Sequence, residues 1–382
     1  MTAPAKPDIR QITRLVGPDG NLVQGQSELP LPESLARAAA DVIAEGLNHY
    51  ASFEGVAPLR RALAEQILEL NGVRVDADAT PVELLITPGA TGALVAAANA
   101  FLRGASALLF EPYYPYHERV LEWAGARAEI FPLRGERLEI DPVDLRARCE
   151  AAARRADYPL RAILVCSPSN PTGKSMSREE LETVAEICRD LDLLCISDEV
   201  YEVFTLSADD HISMATLPGM FERTVTVNSF SKSWRVSGWR LGYAYGYGPL
   251  VSRIHAPGNV FYVCAPTPLQ HALARVLRED PDYYERQRAE FRARRDRIAG
   301  GLERLGFSVY PSASCFYLWA RIPDTFSSAM ELNARLLEHG VAGVPGSAFA
   351  DAPEWDRWMR LCIAREDAML DAAMDRITKV LS

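Results

Sequence analysis

Between about residues 82 and 246, short apolar or β-branched runs alternate with longer amphipathic ones. Strands are predicted at residues 82–87, 106–110, 161–166, 193–197, 224–228 and 240–245, each flanked by helical or turn-rich segments. This order is typical of βαβ units on a mostly parallel sheet, and it predicts an α/β fold. A ligand should then bind beyond the carboxyl ends of these strands.

The pattern changes after Asp280. A charged helical run, residues 283–306, leads to predicted strands at residues 307–310 and 315–320. We therefore expect a large domain at residues 45–280 and a smaller domain built from residues 1–44 and 281–382.

The composition is that of an ordinary globular protein, with 48% hydrophobic and 24% charged residues among 382. Asp and Glu total 51 against 41 Lys and Arg, and the basic residues form no block. The net charge of −10 makes nucleic acid and anionic membrane surfaces poor partners. The start, MTAPAKPDIRQ, lacks the apolar core of a signal peptide, and the apolar stretch at residues 93–102 is too short to span a bilayer. A cytoplasmic location is expected.

The seven cysteines are scattered without a CxxC pair, and the histidines form no cluster with metal-site spacing. A chain of this length needs no disulfides to stabilise its core, so we expect reduced thiols that mainly fill the core. No metal is implied.

The segment NSFSKSWRVSGWRLGY places Lys232 after a strand-like run and between hydroxyls and glycines. Partial burial would lower the pKa of its amine, as Schiff-base formation with an aldehyde requires. Ser229 and Arg240 could hold a phosphate on the same ligand. The spacing alone is more typical of a solvated loop, so the neighbouring motifs decide the interpretation.

Asp198 and Tyr201 follow the apolar run LLCIS, in the sequence ISDEVYEVF. A carboxylate at the end of a buried strand needs a cationic partner, which a protonated pyridine nitrogen would supply. Tyr201 could then donate a hydrogen bond to the ring oxygen. The alternative is that Asp198 caps the following helix.

A turn follows the predicted strand ILVCS in the sequence SPSNPTGKSMSREEL. The side chain of Asn170 in this turn can meet a ligand above the sheet. Ser177 is predicted to begin a helix, with Glu180 completing a capping box. The NPTG residues could equally be a turn without a further role.

Two other strand ends carry candidate ligand contacts. In LLITPGATGAL, a glycine turn opens a helix whose first amides, those of Gly89, Ala90 and Thr91, favour an anion. In FEPYYPYHE, Tyr114 could stack on a flat heteroaromatic ring. Taken alone, turn geometry and ordinary packing would account for both features.

Together, SNPTG, SDEVY and SFSKxxxxxGxRxGY resemble the class I/II aminotransferases of the fold type I pyridoxal-phosphate-dependent family. The resemblance extends from Gly25 to Arg360. It implies a three-layer αβα large domain with a mostly parallel sheet, plus a smaller α+β domain. It also implies pyridoxal 5′-phosphate as the cofactor, with Lys232 as the catalytic lysine that forms its aldimine. The other implied cofactor contacts are Asp198 to the ring nitrogen, Asn170 and Tyr201 to the ring oxygen, Tyr114 to the ring face, and Ser229, Arg240, Gly89, Ala90 and Thr91 to the phosphate.

Three more positions are assigned by the resemblance. Tyr50 in HYASFEG looks like the tyrosine that reaches the phosphate in the other subunit, which implies a homodimer with shared active sites. Gly25 resembles the glycine of an amino-terminal segment that covers the substrate. Arg360 and Asn170 would contact the substrate, and the planar guanidinium of Arg360 can donate two parallel hydrogen bonds to a carboxylate.

The chain departs from the family pattern at His117, where many relatives have a second tyrosine. It departs again at Ser314 and Cys315, where glycine and a small residue are usual. These differences concern the substrate. The SDEVY neighbourhood looks most like the branch of the kynurenine and glutamine aminotransferases. The lack of an identifiable second substrate arginine disfavours dicarboxylates.

The predicted function is transfer of the amino group of an L-amino acid to a 2-oxo acid by a ping-pong mechanism. A lyase, a cyclase or an oxidase that uses the same cofactor is the first alternative, since all begin by removing the Cα proton. A non-catalytic protein that binds pyridoxal phosphate is the second. It is disfavoured because every catalytic position is present.

Overall fold

The computed structural model describes residues 6–206, 211–312 and 314–382. Its larger sheet consists of β1 (Leu84–Thr87), β2 (Ser106–Glu111), β3 (Arg127–Pro132), β4 (Leu160–Cys166), β5 (Leu194–Asp198), β6 (Thr224–Ser229) and β7 (Gly242–Gly246). These strands lie in the order β1-β7-β6-β5-β4-β2-β3. Strand β7 is antiparallel to both neighbours and the other pairs are parallel. The mostly parallel sheet confirms the predicted α/β fold.

Six of these strands were predicted from the sequence, and β3 was not. This strand lies at the edge of the sheet, and within it only Phe131 is buried. Its sequence, RAEIFP, mixes charged and apolar residues. An edge strand of this kind lacks the continuous apolar run by which buried parallel strands are recognised.

The α-helices pack around the two sheets. In chain order they are α1 (Ile9–Leu15), α2 (Glu33–Ala44), α3 (Ala57–Asn71), α4 (Gly89–Phe101), α5 (Pro115–Trp123), α6 (Pro142–Ala153), α7 (Arg178–Asp190), α8 (Phe230–Ser233), α9 (Gly248–Tyr262), α10 (Thr267–Glu279), α11 (Tyr283–Arg304), α12 (Ala329–Glu338) and α13 (Asp367–Leu381). The predicted capping box at the start of α7 is confirmed, since Ser177 and Glu180 exchange side chain-to-amide hydrogen bonds.

Apolar side chains on the two faces of the larger sheet form separate cores. Leu85 and Leu109 belong to a core shared with α4, α5 and α9. On the opposite face, Leu108 and Ile163 pack with α6 and α7, and Ile86 packs with α2, α3 and α10. Helices on both faces of the sheet confirm the three-layer αβα arrangement.

The smaller sheet contains β8 (Ser308–Val309), β9 (Tyr317–Arg321), β10 (Val344–Pro345) and β11 (Trp358–Cys362). Its order is β10-β11-β9-β8 and its pairs are antiparallel. Helices α11, α12 and α13 share its core. The amino-terminal segment lies beside this sheet, since Leu22 exchanges backbone hydrogen bonds with Ala342 and Cys362. The domain boundaries remain a prediction.

Within the described ranges, no helix combines the length and the apolar character needed to cross a membrane.

Candidate active site

A cavity of 760 Å³ lies where the two sheets meet, beyond the carboxyl ends of β4, β5 and β6. This is the position expected for a ligand in an open α/β sheet. The cavity brings together most of the residues that the sequence motifs singled out: Gly25, Ala90, Thr91, Tyr114, Asn170, Asp198, Tyr201, Ser229, Lys232, Arg240 and Arg360.

Lys232 lies in the short helix α8, directly after β6, and is partly buried in the cavity wall. Its Nζ donates a hydrogen bond to the carbonyl of Gly25, at 2.5 Å. Burial lowers the pKa of the amine to about 8, and the positive charges of Arg360 and Arg240 act in the same direction. A useful fraction of this amine is therefore neutral, and nucleophilic, near neutral pH.

Gly25 contacts Lys232 from the amino-terminal segment. A Cβ atom at this position would lie 2.2 Å from Tyr317 Oη, so a side chain does not fit there. The glycine lets the backbone approach both Lys232 and Tyr317. Tyr317, on β9, also lines the cavity, and its hydroxyl lies 2.8 Å from that of Tyr201. Tyr317 was not predicted from the sequence, because it lies outside the recognised motifs.

Hydroxyl, guanidinium and amide groups converge at one end of the cavity. Ser229 Oγ lies 2.8 Å from Ser231 Oγ, and Ser231 Oγ lies 3.5 Å from Arg240 Nη1. Ser231 was not among the predicted residues. Its place in the SFSK motif, beside Lys232, was the available signal.

The amino terminus of α4 faces the same group of side chains. Ala90 and Thr91 line the cavity in its first turn, and no side chain of the described ranges caps this helix end. A Cβ atom on Gly89 would lie 2.6 Å from Arg240 Nη2, and the φ angle of Gly89 is +70°. Only glycine allows this close approach without strain. A helix amino terminus, hydroxyls and an arginine together suit a phosphate.

Asp198 lies at the end of β5 and is buried. His117 Nε2 lies 2.8 Å from its Oδ2, and His117 is buried as well. The next helical turn, Glu202–Phe204, has Tyr201 as its N-cap, so the helix-capping alternative for Asp198 is wrong. The carboxylate instead faces the cavity with an imidazole behind it. Sequence reasoning noted His117 only as a departure from the family.

Arg360, on β11, is 1% exposed and reaches across to the larger sheet. Its Nη1 donates to Asn170 Oδ1 at 2.8 Å and its Nη2 donates to the carbonyl of Val23. The rings of Tyr317 and Phe349 lie 4.5 and 5.0 Å from the guanidinium carbon. Its Nε has no hydrogen-bond partner and no carboxylate pairs with it among the described residues. Such a buried cation is a ready site for a carboxylate.

Tyr114 precedes α5 and lines the cavity. Its ring stacks on that of Tyr116, with 5.3 Å between the centroids, and meets His117 edge-on. Tyr50 lies elsewhere. It is 86% exposed and does not line the cavity of this chain.

The departure at Ser314 has a structural explanation. Ser312 and Ser314 both donate hydrogen bonds to the carbonyl of Gly173, each at 2.6 Å. These bonds tie the turn that carries Asn170 to the segment leading into β9. The turn is thereby held in place by hydroxyls of the segment between β8 and β9.

Among the residues that the structure describes, two groups of side chains have a spacing that a metal ion could bridge. One, His117, Cys166 and Asp198, lies at the cavity, and the other contains Glu199, Glu202 and His211. Hydrogen bonds from protein groups already reach the carboxylates in both groups. The expectation that no metal is needed stays a prediction.

Comparison with known proteins agrees with this geometry. Residues 19–377 match the family described as aminotransferase class I and II. A probable N-succinyldiaminopimelate aminotransferase, DapC, of Mycobacterium tuberculosis is 36% identical over 94% of this chain and 91% of its own length. Human kynurenine–oxoglutarate transaminase 3 is 31% identical, over 94% of this chain and 84% of its own.

Solved structures agree as well. The structure of the N-succinyldiaminopimelate aminotransferase from M. tuberculosis superposes with a TM-score of 0.90 and 34% identity, covering 97% of this chain and 96% of that one. A methionine aminotransferase from Escherichia coli superposes with a TM-score of 0.90 and 28% identity, covering 98% and 100% of the two chains. The chain therefore belongs to the class I and II aminotransferases, a family of pyridoxal-phosphate-dependent enzymes, as its motifs indicated.

Proposed function

We propose that Lys232 is the catalytic residue of this aminotransferase and that Arg360 binds the α-carboxylate of its substrates. One observation carries the proposal: an amine with a pKa of about 8 and a buried guanidinium without a carboxylate partner among the described residues line one cavity. The substrates would be an L-amino acid and a 2-oxo acid, which react in turn at this site.

The cavity residues also fit pyridoxal 5′-phosphate. Ser229, Ser231, Arg240 and the amides of the Gly89-to-Thr91 turn would hold the phosphate. Asp198 would pair with the ring nitrogen, and Tyr114 would stack on the ring. Asn170 Oδ1 accepts from Arg360, which leaves the amide NH₂ of Asn170 to donate to the ring oxygen together with Tyr201. When bound, this cofactor supplies an aldehyde that takes up the amino group and a conjugated ring that accepts electrons from Cα.

Arg360 would orient the substrate, and Lys232 would transfer the proton. The planar guanidinium of Arg360 can donate two parallel hydrogen bonds, which fixes the substrate carboxylate and therefore the direction of the Cα–H bond. Lys232 Nζ, in its neutral form, would take the proton from Cα. The carbonyl of Gly25 accepts a hydrogen bond from the free amine and so keeps Nζ within the cavity.

We propose further that the active enzyme is a homodimer in which Tyr50 contacts the phosphate site of the partner. Tyr50 is 86% exposed, and large apolar side chains near the end of α9 are also exposed, including Val260 at 82%. Exposed apolar groups of this kind are typical of subunit interfaces. Free thiols at all seven cysteines support a cytoplasmic location.

Mixing two defective variants tests the shared site. Lys232→Ala would lack activity and Tyr50→Ala would have reduced activity, while a mixed dimer would contain one intact site. Partial recovery of activity on mixing supports the proposal. No recovery, with mixed dimers detected by mass spectrometry, contradicts it.

The names of the relatives do not identify the amino acid that donates the amino group in this enzyme. Those relatives are named for N-succinyldiaminopimelate, methionine and kynurenine, which differ widely in their side chains. The donor must be found by adding amino acids one at a time and following the absorbance of the bound cofactor.

The catalytic assignments are tested by two variants with matched controls. Lys232→Ala should abolish turnover while the protein stays folded, and Lys379→Ala, on the far helix α13, should be unaffected. Arg360→Lys keeps the charge but loses the second hydrogen bond, so kcat/KM should fall about 10- to 100-fold. Arg321→Lys, on the neighbouring strand β9, is its control. Turnover in Lys232→Ala contradicts the proposal, and release of ammonia without a 2-oxo acid would indicate a lyase.

A further inference from the structure

Helix α1 lies over the mouth of the active-site cavity and presents two arginines to it. Arg10 and Arg14 line the cavity together with Ile9 and Thr13. Since Arg10 and Arg14 are four residues apart, their side chains project from the same face of the helix. Both are exposed.

The helix is docked on the protein body. Ile12 and Val16 are buried in the core shared with β2 and β3. Asp8 caps the helix, since its carboxylate accepts from the amide of Arg10 at 2.7 Å. Just before the helix, Lys6 donates to Tyr113 Oη at 2.6 Å and pairs with Asp351 at 3.1 Å. These contacts give the two arginines a defined position at the cavity mouth.

The guanidinium of Arg10 is also placed by an aromatic ring. Its carbon lies 5.7 Å from the ring centroid of Tyr116, and Tyr116 stacks on Tyr114. Arg119 lies over the same Tyr116 ring, at 5.5 Å, but does not line the cavity. The stack therefore runs from Tyr114 in the cavity wall to Arg10 at the mouth.

The described side chains that line the cavity carry more positive than negative charges. Within the described chain, Asp198 is the single carboxylate in the lining, and the cations are Arg10, Arg14, Lys232, Arg240 and Arg360. Under the proposed function, Lys232 and Arg240 serve the cofactor and Arg360 binds the α-carboxylate. No carboxylate of the described residues forms an ion pair with Arg10 or Arg14. Arg10 and Arg14 are therefore two cations in the cavity lining to which neither the cofactor nor the α-carboxylate has been assigned.

We propose that Arg10 and Arg14 bind a second carboxylate, at the end of the side chain of the amino acid or the 2-oxo acid. The inference rests on the proposed function, because it assigns the α-carboxylate to Arg360. It reverses the expectation from sequence that dicarboxylates are disfavoured. Arg10 and Arg14 would form the site for the second carboxylate, and they belong to no recognisable sequence motif.

Matched substrates test this preference. The cofactor-loaded enzyme would be mixed with glutamate or 2-aminoadipate, and separately with norvaline or norleucine, in which a methyl group replaces the distal carboxylate. After conversion to the amine form, it would be mixed with 2-oxoglutarate or 2-oxopentanoate. The expected result is at least a tenfold higher kcat/KM for a dicarboxylate over its neutral counterpart in one of the two directions. The advantage should shrink as salt is added, because exposed charges are screened.

Three variants locate the effect. Arg10→Gln and Arg14→Gln should each lower kcat/KM for the dicarboxylates about three- to tenfold, and the double variant should lower it further, by more than about tenfold. Neutral substrates should change less than about twofold. Arg119→Gln is the control, because it removes an equal charge from the other cation on the Tyr116 ring. It should leave both substrate classes unchanged.

The outcomes separate the inference from the function on which it rests. If no donor changes the cofactor absorbance of the unaltered enzyme, the proposed function fails. If neutral and dicarboxylic substrates react equally well, or if the double variant slows both classes equally, the inference fails and the function stands. A loss confined to dicarboxylates supports both.

Discussion

His117 Nε2 lies 2.8 Å from Asp198 Oδ2, and the two residues are 2% and 4% exposed. The histidine comes from the first turn of α5 and the aspartate from the end of β5. The contact holds the carboxylate of Asp198 in a fixed position, from which it can pair with a protonated ring nitrogen. The pair therefore couples the loop of Tyr114 to the base of the cavity.

Replacing His117 tests this coupling. His117→Phe removes the hydrogen bond, so affinity for pyridoxal phosphate should fall about tenfold and the reaction with an amino acid should slow. His117→Asn keeps a donor and should lose less. Cofactor titration by absorbance measures the first effect, and rapid mixing measures the second. Equal losses in the two variants would contradict the role of the hydrogen bond.

The lowered pKa of Lys232 predicts how cofactor loading depends on pH. Only the neutral amine attacks an aldehyde, and burial lowers the pKa from 10.5 to about 8. The loading rate should therefore rise with pH and level off near pH 8, rather than continue to rise toward pH 10.5. Stopped-flow absorbance measures this rate.

Two controls accompany the loading experiment. Pyridoxamine phosphate, which has no aldehyde, should bind without this dependence on the Lys232 amine. Arg360→Gln removes one of the cations that depress the pKa of Lys232, so its midpoint should move to higher pH. A midpoint that stays near 10.5 in the unaltered enzyme would mean that the amine is not desolvated.

Gly89→Ala should weaken cofactor binding. Its Cβ atom would lie 2.6 Å from Arg240 Nη2, and its φ angle of +70° is unfavourable for alanine. Gly125→Ala is a matched control, because Gly125 has φ +74° and nothing within 4 Å of the added atom. Both variants should lose about 1–2 kcal/mol of unfolding free energy. Only Gly89→Ala should also raise the Kd for pyridoxal phosphate, and a similar rise in Gly125→Ala would assign the effect to general destabilisation.

Glu202 should make stability depend on pH. It is buried and accepts a hydrogen bond from Asn71 at 2.7 Å. Burial raises its pKa to about 7, Glu199 adds to the shift, and His211 opposes it. A raised carboxyl pKa means that the folded state holds a proton that the unfolded chain releases near pH 4.5. Stability should therefore be lost as pH rises from about 4.5 to about 7.

Glu202→Gln removes this titration. Between about pH 4.5 and about pH 7, its unfolding free energy, measured with urea at a series of pH values, should fall less than that of the unaltered protein. The two decreases should differ by up to about 3 kcal/mol. Glu222→Gln, at an exposed position, should follow the unaltered protein. Parallel curves for Glu202→Gln and the unaltered protein would show that Glu202 does not carry the effect.

Local patterns in the sequence determined the alternation of strands and helices, the capping box at Ser177 and the position of Lys232 after β6. Each of these features depends on residues that are close together in the sequence. Their spacing sets the hydrophobic periodicity, the geometry of turns and the position of a residue at the end of a strand. The edge strand β3 was missed because one of its faces is not buried, so its residues need not be apolar.

The tertiary structure alone decided which distant residues meet. His117 reaches Asp198, Tyr317 reaches Tyr201, and Arg360 reaches Asn170 because three separate strands and a helix converge on one cavity. Arg10 and Arg14 join them only because the apolar face of α1 docks on the core. Such contacts follow from packing over hundreds of residues. The sequence around each residue therefore carries no sign of its partner.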